Sequence, residues 1–241
     1  MIDTAVLLAA GQGSRLRGTT PFKPLCPVGG RALIDHAIYG LAEAGLSRAI
    51  VTLGYGAAAI QAHLASRRWP ITVETVDVAD WLAPNGVSLL AAAARLGNAS
   101  AVLAMCDHLV DPALYARLAQ AGAGEGLRLG IDRRLGHAWV DPDDVTCVAT
   151  RGDAIVAIGK GLAPHDAYDT GVFAVGPALF AALKRIAAPS LTEGVRAVAA
   201  TGAALAMDCS DLDWIDVDDA PALFKAEAWL ADLASRAAAA A

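Results

Sequence analysis

Aromatic residues make up only 5% of this 241-residue chain, which weakens any reading that needs an aromatic cage around a quaternary ammonium group. Four cysteines, Cys26, Cys106, Cys147 and Cys209, form no CxxC pair and no zinc-ligand spacing. That argues against a metal ribbon or a disulfide framework and suits a reducing cytoplasm. No apolar run approaches the roughly 20 residues of a membrane-spanning helix, although 56% of the chain is hydrophobic, because alanine supplies much of that fraction. The N-terminus lacks a basic stretch ahead of an apolar core, so it does not read as a secretion signal. Basic residues number 19 against 25 acidic ones, a formal charge of −6, which argues against nucleic acid or an anionic membrane as partner. No Ser/His/Asp or Cys/His set stands out, and His36, His63, His108, His137 and His165 read as surface or structural residues. No linker or repeat divides the chain, so residues 1–236 are expected to form one domain, with a first half over 1–125, a second half over 126–236, and a low-complexity alanine tail at 237–241.

What is present is concentrated near the N-terminus. Thr4 to Ala9 is an apolar run of the kind a fully buried parallel strand needs. Gly11 and Gly13 then remove side chains where backbone N–H groups must approach an anion, and Arg15, Arg17 and Lys23 add positive charge. Two better-known glycine signatures fail here. A dinucleotide loop needs a third small residue where Leu16 stands, and an ATPase P-loop needs a lysine where Thr19 stands. Pro24 is expected to push Lys23 into extended backbone, on a stiff loop.

Strand-like and helix-like runs alternate down the first half. Strands are expected at Thr4–Ala9, Ala49–Leu53, Ile71–Val76 and Ala101–Met105, with helices at Arg31–Ala44, Ala57–Ser66, Val87–Leu96 and Pro112–Ala119. Such an order gives a parallel sheet with crossover helices, whose ligands bind beyond the carboxyl ends of the strands. After Gly126 the pattern turns β-rich, with Leu127–Ile131, a hairpin of Val145–Thr150 and Ala154–Ile158 about Arg151-Gly152-Asp153, Asp169–Val175 and Ala204–Asp208. Helices are expected at Pro177–Ile186, Leu191–Thr201 and Asp218–Ser235. The fold class is therefore α/β, a Rossmann-like, mostly parallel sheet flanked by helices, with a small β-rich region beside it.

Asp107 follows the apolar run AVLAMC and should emerge at the tip of a central strand, while Asp111, just before Pro112, is better placed to cap the next helix. Cys106 and His108 should point away from the Asp107 side by strand alternation. Asp216 and Asp218 in DLDWIDVDDAP share one face of an extended stretch, and either Asp218 or Asp219 could cap the closing helix. Asp107, Asp216 and Asp218 together suit Mg²⁺, which takes one or two carboxylates plus phosphate oxygens and water.

The segment from Leu8 to Gly30 resembles the signature of the sugar-nucleotidyltransferase superfamily, LAAGxGxRL, then a lysine beside proline and leucine, then PVxG. The resemblance implies a nucleotide-diphospho-sugar transferase-like fold. It also implies that Leu8, Ala9, Gly11, Gly13 and Ser14 wrap a triphosphate, that Arg15 contacts its phosphates, and that Lys23 binds the phosphorus under attack. Trp214-Ile215-Asp216-Val217-Asp218 is similar to the family segment that contributes the second metal carboxylate. Asn85, Gly86 and Ser88 correspond to the segment that reads base and ribose, and their NGxS form resembles cytidylyltransferases acting on inositol phosphate or related alcohol phosphates. Ile158-Gly159-Lys160, Tyr168 to Phe173 and Leu191 to Val195 are similar to elements of CTP:inositol-1-phosphate cytidylyltransferases. By that resemblance Lys160 binds the acceptor phosphate, and Asp169, Thr170 and Glu193 bond its hydroxyls.

The expected activity is transfer of CMP from CTP to an alcohol phosphate, inositol 1-phosphate first, with release of pyrophosphate. Sugar 1-phosphate, phosphocholine or phosphonate acceptors are the alternatives, and a non-catalytic nucleotide-binding regulatory module is the alternative of another class. In the resembling family the enzyme is often fused to a membrane-embedded synthase. No such segment is seen here, so the expectation is either a separate downstream phosphotransferase as partner or a different acceptor.

Overall fold

The computed structural model describes residues 1–240. From β1 (Thr4–Ala9) the chain passes through the glycine loop and two 3-10 turns, Ser14–Leu16 and Lys23–Leu25, to the short hairpin β2 (Pro27–Val28) and β3 (Arg31–Ala32). Then follow α1 (Leu33–Glu43), β4 (Arg48–Leu53), α2 (Ala57–Ala65), β5 (Thr72–Asp77), α3 (Asn85–Leu96), β6 (Ala101–Met105), β7 (His108–Val110) and α4 (Pro112–Ala121). The second half supplies β8 (Leu127–Asp132), β9 (Thr146–Arg151), β10 (Ala154–Lys160), β11 (Ala167–Val175) and α5 (Pro177–Leu183). It closes with α6 (Leu191–Ala199), β12 (Ala204–Asp208), β13 (Trp214–Asp216) and α7 (Ala220–Ala240).

All six residues of β1 are buried. Ala5, Leu7 and Ala9 face a layer holding Ile34, Ile38 and Leu41 of α1, while Val6 and Leu8 face Leu89 and Ala92 of α3 on the other side of the sheet. Burial on both faces is why the run is continuously apolar, and each large aliphatic side chain enclosed this way contributes roughly 2 kcal/mol. The main sheet has nine strands in the order β5-β4-β1-β6-β11-β8-β12-β10-β9. The first four are parallel. β11 runs antiparallel to both β6 and β8, and β12 is parallel to β8. β9 pairs with β10 and also with the start of β11, so the sheet curls at this end. The α/β fold expected from the alternation is present, and one sheet runs through both halves of the chain.

Four short strands escaped the periodicity, because two or three residues are too few to show a period. β2 and β3 form a hairpin about Gly29-Gly30, so α1 starts at Leu33 rather than Arg31. β7 and β13 pair antiparallel, Asp216 opposite His108 and Trp214 opposite Val110. Lys23 opens a 3-10 turn instead of lying in extended backbone, since Leu25 N–H reaches Phe22 O and Cys26 N–H reaches Lys23 O, both at 2.9 Å. Pro24, lacking an N–H, loses nothing in a first turn. The closing helix begins at Ala220 and continues through the alanine run to Ala240, beyond the Ser235 end expected; alanine is the strongest helix former. Ala241 of the expected tail lies outside the described residues.

Candidate active site

A cavity of about 490 Å³ opens beyond the carboxyl ends of the central strands, lined among others by Arg15, Asn85, Asp107, Asp144, Lys160 and Asp169. A smaller pocket of about 180 Å³ adjoins it, lined by Leu8, Ala9, Gly11, Gly13 and Lys23. Asp107 and Asp218 border both.

Lys23 is the most enclosed cation of the site, its side chain 6% exposed. Its ammonium donates to Asp107 Oδ2 at 2.6 Å and to Asp218, and lies 3.7 Å from Asp216 Oδ1. Burial pulls its pKa down, but Asp107 and Asp216 outweigh that and hold it above the ordinary value. The glycine loop closes directly over it. Gly13 has φ 57°, and a Cβ there would collide with the Lys23 side chain, so this position requires glycine twice over.

The acids reach the lysine through the β7–β13 ribbon. After β6 the chain turns, Cys106 N–H bonding Leu8 O at 3.1 Å and Val217 N–H bonding Asp107 O at 3.0 Å. Those two bonds tie the tips of β1, β6 and β13 together and set Asp107 beside Asp216 and Asp218. Trp214 anchors the ribbon from below, its indole N–H donating to the buried Asp132 carboxylate at 2.9 Å. Asp132 also accepts three hydrogen bonds from the Arg134 guanidinium and one from its backbone N–H.

His108 corrects the alternation argument. β6 ends at Met105 and the chain turns at Cys106-Asp107, so strand periodicity does not carry across. Its Nε2 lies 3.4 Å from Asp216 Oδ2, and its Nδ1 bonds Thr170 O at 2.9 Å. Burial lowers its pKa, yet Asp216 prevails and pushes it up to about 9. The same contact, against the upward pull of burial, holds Asp216 well below the usual carboxylate range. Gly171, at φ 79°, makes room for the imidazole, with which a Cβ would collide.

A second group of charges lines the same cavity. Asp144, on the segment between β8 and β9, places Oδ2 2.6 Å from Arg15 Nη2 and pairs through Oδ1 with Lys160. Lys160, then Arg15, holds its pKa below the usual range. Arg15 also pairs with Asp218. Asp169 borders the cavity and accepts from Gly171 N–H at 2.7 Å, but burial dominates and pushes its pKa up to about 6. Asp144 sits in the acidic run Asp141-Pro142-Asp143-Asp144, whose charge density was the one signal that could have found it.

Other candidates lie elsewhere. Thr170 is fully buried outside both cavities, its hydroxyl donating to Gly130 O at 2.8 Å; its contact with the site is through the carbonyl that holds His108. Glu193 forms a capping box with Ser190 at the start of α6, and its neighbours Leu191 and Thr192 line the cavity instead. Its carboxylate is already committed to the Ser190 backbone N–H at 2.8 Å and the Ser190 hydroxyl at 2.7 Å. Asn85 borders the cavity, but its Oδ1 accepts from Leu191 N–H at 2.8 Å, tying α3 to α6. Gly86 packs against Pro189 and Leu183, and Ser88 is buried. Ser14 is exposed at the start of its 3-10 turn, outside both cavities. Arg17 lies over the Tyr55 ring at 5.5 Å. Asp111 caps α4, accepting from Ala113 N–H at 2.8 Å, and Asp219 takes the capping position of α7 with Ala222 N–H at 2.8 Å, leaving Asp218 to the site.

Among the described residues, Asp216 Oδ1 is buried with no hydrogen-bond partner. Ligand atoms of Asp144, Asp216 and Asp218 lie within 4.8 Å of one another, as do those of Asp107, His108 and Asp216. An orphaned carboxylate oxygen among further carboxylates fits a hard divalent cation.

The profile of the MobA-like NTP transferase domain matches residues 5–229. A bifunctional IPC transferase and DIPP synthase of Rubrobacter xylanophilus is 33% identical over 223 residues, 89% of this chain and 49% of that protein. The protein of the same name in Aquifex aeolicus is 30% identical over 95% of this chain and 52% of its own. The chain thus spans about half the length of these curated relatives. Among solved structures, an inositol-1-phosphate CTP transferase from T. maritima superposes with a TM-score of 0.78 at 22% identity, covering 92% of this chain and 91% of that one. A UDP-glucose pyrophosphorylase complexed with UDP-glucose gives 0.80 at 16% identity, covering 96% and 99%. Among the described residues no helix is long and apolar enough to cross a membrane. The resemblance carried by Leu8 to Gly30 holds over nearly the whole chain, which belongs to the MobA-like NTP transferase family.

Proposed function

We propose that this nucleotidyltransferase transfers CMP from CTP to an alcohol phosphate, inositol 1-phosphate first, releasing pyrophosphate and a CDP-alcohol. The observation that carries the reading is Lys23, buried among Asp107, Asp216 and Asp218 beneath the glycine loop. A fixed cation at that place serves a reaction whose transition state gathers charge on non-bridging phosphoryl oxygens. The names of the two curated relatives, both IPC transferases, and of the T. maritima neighbour support the choice of base and acceptor.

Gly11 and Gly13 bring backbone N–H groups to the triphosphate, Arg15 and Lys23 neutralise it, and Lys160 holds the acceptor phosphate. An acceptor oxygen attacks the α-phosphorus in line, the bond to the β-phosphate oxygen breaks, and pyrophosphate leaves with that electron pair. An ionised phosphate is already a nucleophile, so no general base is required. Asp107, Asp216 and Asp218 would hold Mg²⁺, which supplies Lewis-acid stabilisation of the phosphoryl oxygens when bound. Asp169 faces the acceptor as a hydrogen-bonding group. We also place the protein in the cytoplasm, which its four free, buried cysteines suit, and its product would feed a phosphotransferase.

The test is a pyrophosphate-release screen crossing CTP, UTP, ATP and GTP with inositol, glycerol, choline, phosphonate and glucose phosphates. CTP with inositol 1-phosphate is expected to turn over fastest. Absence of turnover with every pair would remove the reading in favour of a nucleotide-binding module.

A further inference from the structure

Asp144 stands where an anion belongs. Its carboxylate lies in the large cavity between Arg15 of the glycine loop and Lys160 at the end of β10, two cations from opposite halves of the chain. Neither is held there by burial. The Arg15 side chain is 48% exposed and that of Lys160 60% exposed, so both reach through open space to the Asp144 carboxylate, Arg15 while also pairing with Asp218. Pairs whose cations are this exposed contribute little to stability, which makes the contact readily exchangeable. A phosphate monoester presents three oxygens and up to two charges to the same fork and ammonium, and charge-assisted bonds of that type are the stronger ones.

We propose that Asp144 is a displaceable internal anion, which fills the space between Arg15 and Lys160 until the phosphate monoester of the acceptor displaces it. The ligand class rests on the transfer reading above. Arg15 then serves the incoming phosphate as well as the triphosphate, which aligns the two reacting groups through a shared guanidinium.

The surrounding loop is built to let the side chain leave while the backbone stays. Lys225 Nζ bonds Ala138 O at 2.6 Å, and the Trp139 ring packs on Trp229 with centroids 5.3 Å apart. Asp141 holds the next turn, its side chain accepting from Asp143 N–H at 3.0 Å and its carbonyl from Val145 N–H at 2.9 Å. The Asp144 backbone N–H bonds Asp141 O at 3.3 Å, while among the described residues its carboxylate meets only the two cations. A dianionic monoester can outcompete a single carboxylate where a monoanionic diester cannot. The same competition favours product release, because transfer converts the monoester into one arm of a diphosphate and lowers its charge per phosphorus.

The experiment is a calorimetric titration with inorganic phosphate, without nucleotide or divalent ions, on the wild type, Asp144→Asn, Lys160→Ala and the double variant, with Asp144→Ser as a second probe of the same position. Asp144→Asn and Asp144→Ser should bind phosphate about tenfold more tightly than the wild type, as expected when a competing anion is removed from a charge-assisted site. Lys160→Ala should bind more weakly, and the Asp144→Asn gain should fall below about threefold in its background, as coupled partners require. Unchanged or weaker phosphate binding in folded Asp144 variants would overturn the proposal, as would an undiminished gain in the double variant. The cycle uses no turnover. Silence in the substrate screen would remove the transfer reading and leave this subsite standing, whereas failure of the cycle would do the reverse.

Discussion

The Lys23 ammonium and the Asp107 carboxylate meet at 2.6 Å across 84 residues of sequence. Asp107 comes from the turn after β6 and Lys23 from a 3-10 turn beneath the glycine loop, so the pair joins the two motifs that the transfer reading needs in one place.

Lys23→Met removes the common partner of three carboxylates in a largely enclosed position. Breaking a buried ion pair from one side costs about 3 kcal/mol, and loss of a preorganised cation at the reacting phosphoryl group should lower turnover by about three orders of magnitude. Thermal melting should show the destabilisation, and added Mg²⁺ should recover part of it by taking over the acids. Near-normal pyrophosphate release would contradict the role.

Asp107 and Asp111 are separated by one short strand and do different things. Asp107→Asn should melt close to wild type and lose about two to three orders of magnitude in turnover. Asp111→Ala removes the cap of α4, which costs about 1 kcal/mol, and should leave turnover unchanged. The two assays together distinguish site from scaffold.

Lys160 and Glu193 should part company in steady-state kinetics. Lys160→Ala is expected to raise the acceptor's KM with little change in that of the triphosphate. Glu193→Ala opens the capping box of α6, so it should lower the melting temperature and leave the acceptor's KM where it was. A rise in acceptor KM for Glu193→Ala would return that residue to the binding surface.

Asp132 ties the site to acid stability. Burial raises its pKa, but the hydrogen bonds from Arg134 and Trp214 outweigh it and hold the carboxyl below the usual range. A depressed folded pKa stabilises the fold above the unfolded value near 4, and that stabilisation is lost as pH falls through the lower folded value. Asp132→Asn should therefore be less stable by about 3 kcal/mol at pH 7. Urea titrations should show the gap narrowing below about pH 4. A constant gap from pH 7 to 3 would contradict the linkage.

Where the sequence was legible, the reason is local. β1, β6 and β12 have the bounds that the apolar runs suggested, because a strand buried on both faces declares itself in consecutive residues. Arg15, Lys23, Asp107, Asp216 and Asp218 come together because each belongs to a contiguous motif on a strand tip or glycine loop. What escaped depends on tertiary pairing. His108 becomes a partner of Asp216 only through the three-residue β7–β13 ribbon, which has no period to detect. Asp144 acquires its place from the cations it meets, 129 and 16 residues away. Thr170 and Glu193 look like acceptor ligands in one dimension, yet the backbone claims both side chains first.

The central claim, attack of an acceptor phosphate on the α-phosphorus of CTP, is tested most directly with inositol 1-phosphate carrying ¹⁸O in its phosphate oxygens. Mass spectrometry of the wild-type reaction should find all of the label in the CDP-alcohol and none in pyrophosphate. Label in the released pyrophosphate, or pyrophosphate formed without labelled CDP-alcohol, would contradict the account.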